Sequence, residues 1–281
     1  METRSATTWL PPEPPAPPAP PPRSRARNAL GPIGVAIALI VKFAAKLKAL
    51  LLLLPKLKLL TTAGSMLVSV AAYALIWGWR FAIGFVALLF VHEMGHYIQL
   101  RREGIKPTWM VFIPFLGAAV SARSLGGNAL AEARIGLAGP VLGTLGCAVL
   151  VPFALTTDSD LLRALAFTGF FLNLFNLIPL VPFDGGRAMA AMSPAAWFFG
   201  FALMVAFFFF FPNPVLIIFL LLGGMETWRR WKARRNGEEG NADYYKVAPW
   251  HRFWVGAVYV GLIAILAVGM DLTFVDRSGH F

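Results

Sequence analysis

The sequence has one cysteine, four histidines and few charges, with Asp, Glu, Lys and Arg making up 14% of its 281 residues. A lone Cys147 excludes an internal disulfide and any zinc site built from a cysteine cluster. Inside an apolar block it reads as a small hydrophobe. So little charge beside 58% hydrophobic residues excludes an ordinary soluble domain and points to a chain solvated by lipid. The first 27 residues hold no uninterrupted apolar stretch of the length a secretory signal needs. Acids are scarcer than bases, 14 against 25, for a net charge of +11. The Lys and Arg flank apolar blocks and leave no soluble basic module. The expected partner is therefore the bilayer, and no nucleic acid.

What is present divides the chain. Residues 1–27 hold nine prolines between Pro11 and Pro22, closed by Arg23, Arg25 and Arg27, and read as a disordered or polyproline tail on the cytoplasmic side. Residues 28–60 mix apolar residues with Lys42, Lys46, Lys48, Lys56 and Lys58, the pattern of a basic amphipathic helix on a membrane surface. A transmembrane core follows over 61–190. Further transmembrane helices occupy 191–281, with a basic cytoplasmic loop at 227–252. A span needs about 20 apolar residues, and spans are expected near 64–79, 81–100, 132–156, 161–180, 195–211, 214–226 and 253–271. The fold class is an all-α polytopic membrane protein of six to seven transmembrane helices. It carries one irregular piece: 104–126, where two short β-prone runs flank Pro114, reads as a membrane-embedded β-hairpin or re-entrant segment lining a cavity. With the N-terminus inside, all of the 25 basic residues except Arg80, Arg163 and Arg277 fall on the cytoplasmic side. That predicts a multi-pass protein of the cell's inner membrane with its C-terminus outside.

Ionisable groups deep in apolar sequence are functional candidates, because lipid makes them costly. Most acids, including Glu132, Glu226 and Asp271, read as tail, loop or span-end groups. His251 and His280 fall at or beyond span ends. His92, Glu93, His96 and Asp184 remain. His92 and His96 stand one helical turn apart on one face, so two imidazoles can chelate one zinc, and Glu93 can act as the proton carrier beside them. Catalytic zinc takes three protein ligands and one open position. Asp184, on the break that follows Pro179 and Pro182, is the remaining candidate at that depth. Alternatively, the histidines form a helix-end cluster paired within the bundle, and Asp184 is a turn residue of an Asp-Gly pair.

His92-Glu93-Met94-Gly95-His96, together with Asn176-Leu-Ile-Pro-Leu-Val-Pro-Phe-Asp184-Gly-Gly, resembles the site-2 protease family of intramembrane metalloproteases over about residues 60–190. The resemblance implies zinc (Zn2+) held by His92, His96 and Asp184, Glu93 as general base, and Asn176 as a catalytic group holding substrate or oxyanion. It implies a strand at 108–120 that pairs with a membrane-spanning protein substrate, such as a membrane-anchored regulator of the anti-sigma-factor kind. The chain departs from the family pattern at Phe183, where many members carry Leu. It also departs after Gly139-Pro140, where many carry Asn; there Gly139 and Gly143 read as a close helix-packing pair. There is no PDZ insertion. Two other classes stay open: a catalytically inactive membrane scaffold or chaperone, and a zinc transporter. A transporter would need polar groups strung along a path, whereas these cluster at one depth.

Overall fold

A computed structural model describes residues 58–122, 126–236 and 241–275. The proline-rich tail lies outside them, as does the expected surface helix apart from Lys58–Leu60, which open the first helix. Among the described residues the order is α1 (Lys58–Trp77), α2 (Trp79–Arg102), β1 (Pro107–Ile113), β2 (Gly117–Ala122), α3 (Ala129–Thr156), α4 (Asp160–Asn176), α5 (Asp184–Met192), α6 (Ala196–Phe210), α7 (Pro214–Arg235), α8 (Asn241–Tyr244) and α9 (Pro249–Thr273).

Four of these helices are long and apolar enough to cross a membrane: Leu60–Trp77 within α1, then α2, α3 and α9. Helices α4 and α6, expected as spans, have 17 and 15 residues. Helix α7 has 22 residues, but only its first part is apolar; it continues past the expected end at 226 through Arg229, Arg230 and Arg235. Large apolar side chains stand exposed along the bundle, Leu75 at 90% and Phe210 at 79% among them. Water would penalise such a surface and lipid does not, so this is a membrane protein.

Lipid tails are as apolar as leucine, so burying Leu or Ile adds little to helix association in a bilayer. Close packing of small residues supplies it instead. Helix α3 is built that way. It packs against α2, α4, α5 and α9, and its buried positions include Ala129, Ala133, Gly136, Gly139, Gly143, Cys147 and Ala154. Its start is set by Asn128, whose side chain accepts from the Ala131 N–H at 2.9 Å.

The junction between α1 and α2 is the single residue Gly78 at φ 80°, a left-handed conformation that a side chain would strain. The expected hairpin is present. β1 and β2 pair antiparallel, with Met110 opposite Val120 and Phe112 opposite Ala118. Helix α1 carries this hairpin. The Thr62 hydroxyl donates to the Met110 carbonyl at 2.9 Å, and the Phe112 N–H donates to Ser65 Oγ at 3.2 Å. The Phe115 N–H, at the turn, donates to the Tyr73 hydroxyl at 3.0 Å. The outer edge of β1 is thus capped by α1, while β2 pairs only with β1 among the described residues.

Glu132 lies in the first turn of α3, at the end of that span as expected, but it is not a solvent-facing group. It is fully buried, in an ion pair with Arg230 at 2.9 Å, and it accepts from the Tyr244 hydroxyl. Arg230 also meets Glu226 at 2.7 Å and lies over the Trp197 ring at 5.3 Å. These contacts tie α3 to α6, α7 and α8. Glu226 accordingly sits inside α7 as part of a network, not at a free span end.

Candidate metal centre

The stripe Ala82, Phe85, Val86, His92, Glu93, Gly95, His96 and Leu100 is the buried face of α2. It recurs at three- and four-residue steps, so His92 and His96 point inward one above the other. Their Nε2 atoms are 3.1 Å apart. Asp184 reaches them from the first turn of α5: its Oδ2 lies 3.1 Å from His92 Nε2 and 3.2 Å from His96 Nε2. All three residues are buried.

The outer nitrogens of the imidazoles fix what the inner ones can do. His96 Nδ1 lies 2.7 Å from the Ile135 carbonyl, which can only accept, so Nδ1 carries the hydrogen. His92 Nδ1 lies 2.8 Å from Asn173 Oδ1. The Asn173 amide is oriented by its own NH2 group, which donates to the Gly169 carbonyl at 2.8 Å. Oδ1 therefore faces His92 as an acceptor, and His92 Nδ1 also carries the hydrogen. Both Nε2 atoms are then bare lone pairs turned toward each other and toward a carboxylate oxygen. Such a convergence is repulsive without a cation among the three. Tetrahedral zinc, with bonds of about 2.0–2.2 Å, sets its ligand atoms roughly 3.3 Å apart, which the observed separations approach. The donor set of two oriented imidazoles and one carboxylate fits zinc, and these three side chains could hold it.

Glycines make the room. A Cβ on Gly139 would strike the Nε2 ends of both imidazoles, and one on Gly143 would strike the Asn173 amide. A Cβ on Gly136 would meet the Asp184 carbonyl at 2.8 Å. The Gly139–Gly143 pair, expected as a helix-packing contact, is thus the face of α3 that clears the metal ligands and their supports. Gly95, on the motif itself, lies against the Ala138 carbonyl of α3 and has no space for a methyl. Gly185 and Gly186 likewise press on the backbone of 177–181, so they serve close approach.

Asp184 lies just past the turn that follows α4, as the first residue of α5. The helices beyond 190 hold that turn and the start of α5. Trp197 of α6 donates its indole N–H to the Gly186 carbonyl at 2.8 Å, and the Tyr259 hydroxyl of α9 donates to the Leu177 carbonyl. Glu93 is buried next to His92 but is not one of the three converging groups. Asn176, the last residue of α4, is half-buried, and the structure gives its side chain no hydrogen bond among the described residues. Asn173, one turn earlier, was not singled out from the sequence. The only signal for it was an amide three residues before Asn176, on nearly the same helix face.

A buried two-histidine, one-carboxylate centre on the helices of a membrane bundle defines a metal-binding membrane protein of the HExxH type. Residues 80–159 match the family model described as peptidase family M50. Among curated proteins, the chain is 30% identical over 129 residues to zinc metalloprotease MJ0392 of Methanocaldococcus jannaschii, covering 44% of this chain and 37% of that one. It is 31% identical over 121 residues to Rip3 of Mycobacterium tuberculosis, covering 39% of this chain and 30% of that one. The matched region therefore spans about a third of the length of these relatives. Over residues 80–159 the chain is thus similar to the M50, or site-2 protease, family, and the His92, His96 and Asp184 side chains are a group that could hold a metal ion.

Proposed function

We propose that this protein is an intramembrane zinc endopeptidase, hydrolysing peptide bonds in or beside the transmembrane segments of membrane-anchored proteins. The observation that carries the reading is the convergence of His92 Nε2, His96 Nε2 and Asp184 Oδ2 within 3.2 Å, with both imidazole tautomers set from behind. When bound, zinc supplies Lewis-acid polarisation of a peptide carbonyl and makes an attacking water more acidic. Glu93, buried on the same helix face and outside the ligand set, takes the proton from that water and returns it to the leaving amine. Asn176, at the end of α4, would donate to the substrate or the oxyanion.

A membrane-spanning substrate arrives as a helix whose carbonyls are internally bonded, so it must be unwound before cleavage. β2 supports a receiving role: its partner β1 is capped by α1, and among the described residues no second strand pairs with β2, so an extended backbone could add along Gly117–Ala122. The protein sits in the inner membrane with its N-terminus and the basic 227–252 segment in the cytoplasm, and its substrate class is a membrane-anchored regulator such as an anti-sigma factor. Purified Glu93→Gln should keep zinc and lose cleavage of a membrane substrate. Equal cleavage by the variant and the unaltered protein sinks the mechanism. The same variant, expressed in cells, should make its substrates accumulate uncut.

A further inference from the structure

A second concave site flanks the motif helix beside the face that carries the ligands, with Gly95 and Gln99 on its wall. It is a groove of about 590 Å³ between α2, α3 and α9. Its charge is graded along all three helices in the same sense. Arg102 closes α2, Arg134 lies in the second turn of α3, and His251 lies in the first turn of α9, so all three basic side chains meet at one end of the groove. One turn or more deeper, the walls become Ile98 on α2, Val141 on α3 and Val258 on α9, each between 37% and 40% exposed, with Trp254 of α9 between them and the rim. Among the described residues the acid at the basic end is Glu103, 3.7 Å from Arg134 and hydrogen-bonded to Gln99, which leaves the rim net positive.

A cationic rim above an apolar channel that runs parallel to membrane-crossing helices complements one kind of molecule: an amphiphile with an anionic head and a long acyl chain. A soluble anion would leave the apolar walls bare, and a lipid without net charge would leave the net positive charge of the rim unbalanced. Trp254, near the rim, is of the type that settles at the headgroup level of a bilayer. We infer that this groove is a binding site for an anionic glycerophospholipid, its phosphate against Arg102, Arg134 and His251 and one acyl chain between α2, α3 and α9. The site is separate from the metal centre, and the inference does not depend on the proposed proteolysis.

Native mass spectrometry of the purified full chain tests this, using dioleoyl-phosphatidylglycerol and dioleoyl-phosphatidylcholine as probes. The unaltered protein should retain phosphatidylglycerol through delipidation and release phosphatidylcholine. Each basic residue at a membrane surface is worth roughly five-fold in affinity, so Arg102→Gln with Arg134→Gln should weaken phosphatidylglycerol retention about twenty-five-fold. Val141→Trp, which fills the channel and leaves the rim intact, should also abolish retention. Unchanged zinc content in both variants would show that the bundle is folded. Equal retention of the two lipids by the unaltered protein overturns the proposal without reference to any variant. So does undiminished phosphatidylglycerol on the double variant. A dimer mass that disappears with Val141→Trp, in the absence of any lipid preference, would assign the groove to a second copy and likewise overturn it.

Discussion

Gly139→Ala is the smallest change that should separate the metal site from the fold. In a helix interior, replacing glycine by alanine ordinarily stabilises by about 1 kcal/mol, because alanine loses less backbone freedom on folding. At Gly139 the added methyl would lie 2.8 Å from His92 Nε2 and closer still to the His96 ring. The imidazoles cannot simply swing away, because each is held from behind, His92 by Asn173 at 2.8 Å and His96 by the Ile135 carbonyl at 2.7 Å. Relief requires either breaking one of those bonds or parting α2 from α3, whose contact at Gly95 already leaves no slack. Overpacking of this kind costs about 1–3 kcal/mol. Loss of a ligand's orienting bond lowers metal affinity about 10–100-fold. Zinc affinity of the purified protein, measured by competition with a chelator, should fall by that factor while circular dichroism shows the helices intact. Gly261→Ala is the matched control, since a Cβ there meets nothing within 4 Å; it should leave zinc binding unchanged and stability equal or higher. Parental zinc affinity in Gly139→Ala would refute the assignment of this glycine to the site.

Asn173→Leu should keep the bundle but free His92 Nδ1, lowering zinc affinity about 10–100-fold by the same chelator competition; Asn176→Leu should leave zinc affinity unchanged and act only on cleavage. Glu132→Leu leaves Arg230 with Glu226 alone, and breaking a buried pair costs about 3–5 kcal/mol, read as a lowered midpoint of thermal unfolding in detergent. The Tyr244 hydroxyl is held well above its ordinary range, first by burial and then by the Glu132 carboxylate it donates to. Its folded pKa is raised, so its contribution to stability is fully present below the unfolded value near 10 and is lost as pH climbs beyond it. Unfolding midpoints taken across that range should fall more steeply for the unaltered protein than for Tyr244→Phe.

The metal ligands were legible because their signal is local and chemical. A four-residue spacing fixes a shared helix face whatever surrounds it, and lipid makes an unneeded acid or histidine expensive, which isolates His92, Glu93, His96 and Asp184 in the chain. The hairpin was legible for the same kind of reason, with Pro114 and Gly117 punctuating two β-prone runs. Membrane spans were less so: composition marks an apolar stretch but not where its helix stops. Asn176 closes α4 at 17 residues, although the apolar sequence runs on to Leu180.

What stayed hidden depends on partners distant in sequence. Glu132 is legible as a span-end acid, but its burial is not until Arg230, 98 residues later, folds against it. Asn173 looks like one polar residue of an apolar helix until His92, 81 residues earlier, needs an acceptor. Gly139 and Gly143 were read as packing residues by spacing alone, and spacing cannot say whether the space freed by a missing Cβ receives a neighbouring backbone or a catalytic side chain. The difference matters to function. A packing glycine tolerates alanine where the helices can shift, whereas these two face side chains already committed to hydrogen bonds. Helices α6 and α9, which carry no ligand, enter the site on the same terms, through Trp197 on Gly186 in the first turn of α5 and Tyr259 on Leu177 in the turn before Asp184. Three-ligand geometry here belongs to the whole bundle, so truncation after Asp184 should remove zinc binding even though every ligand remains in the chain.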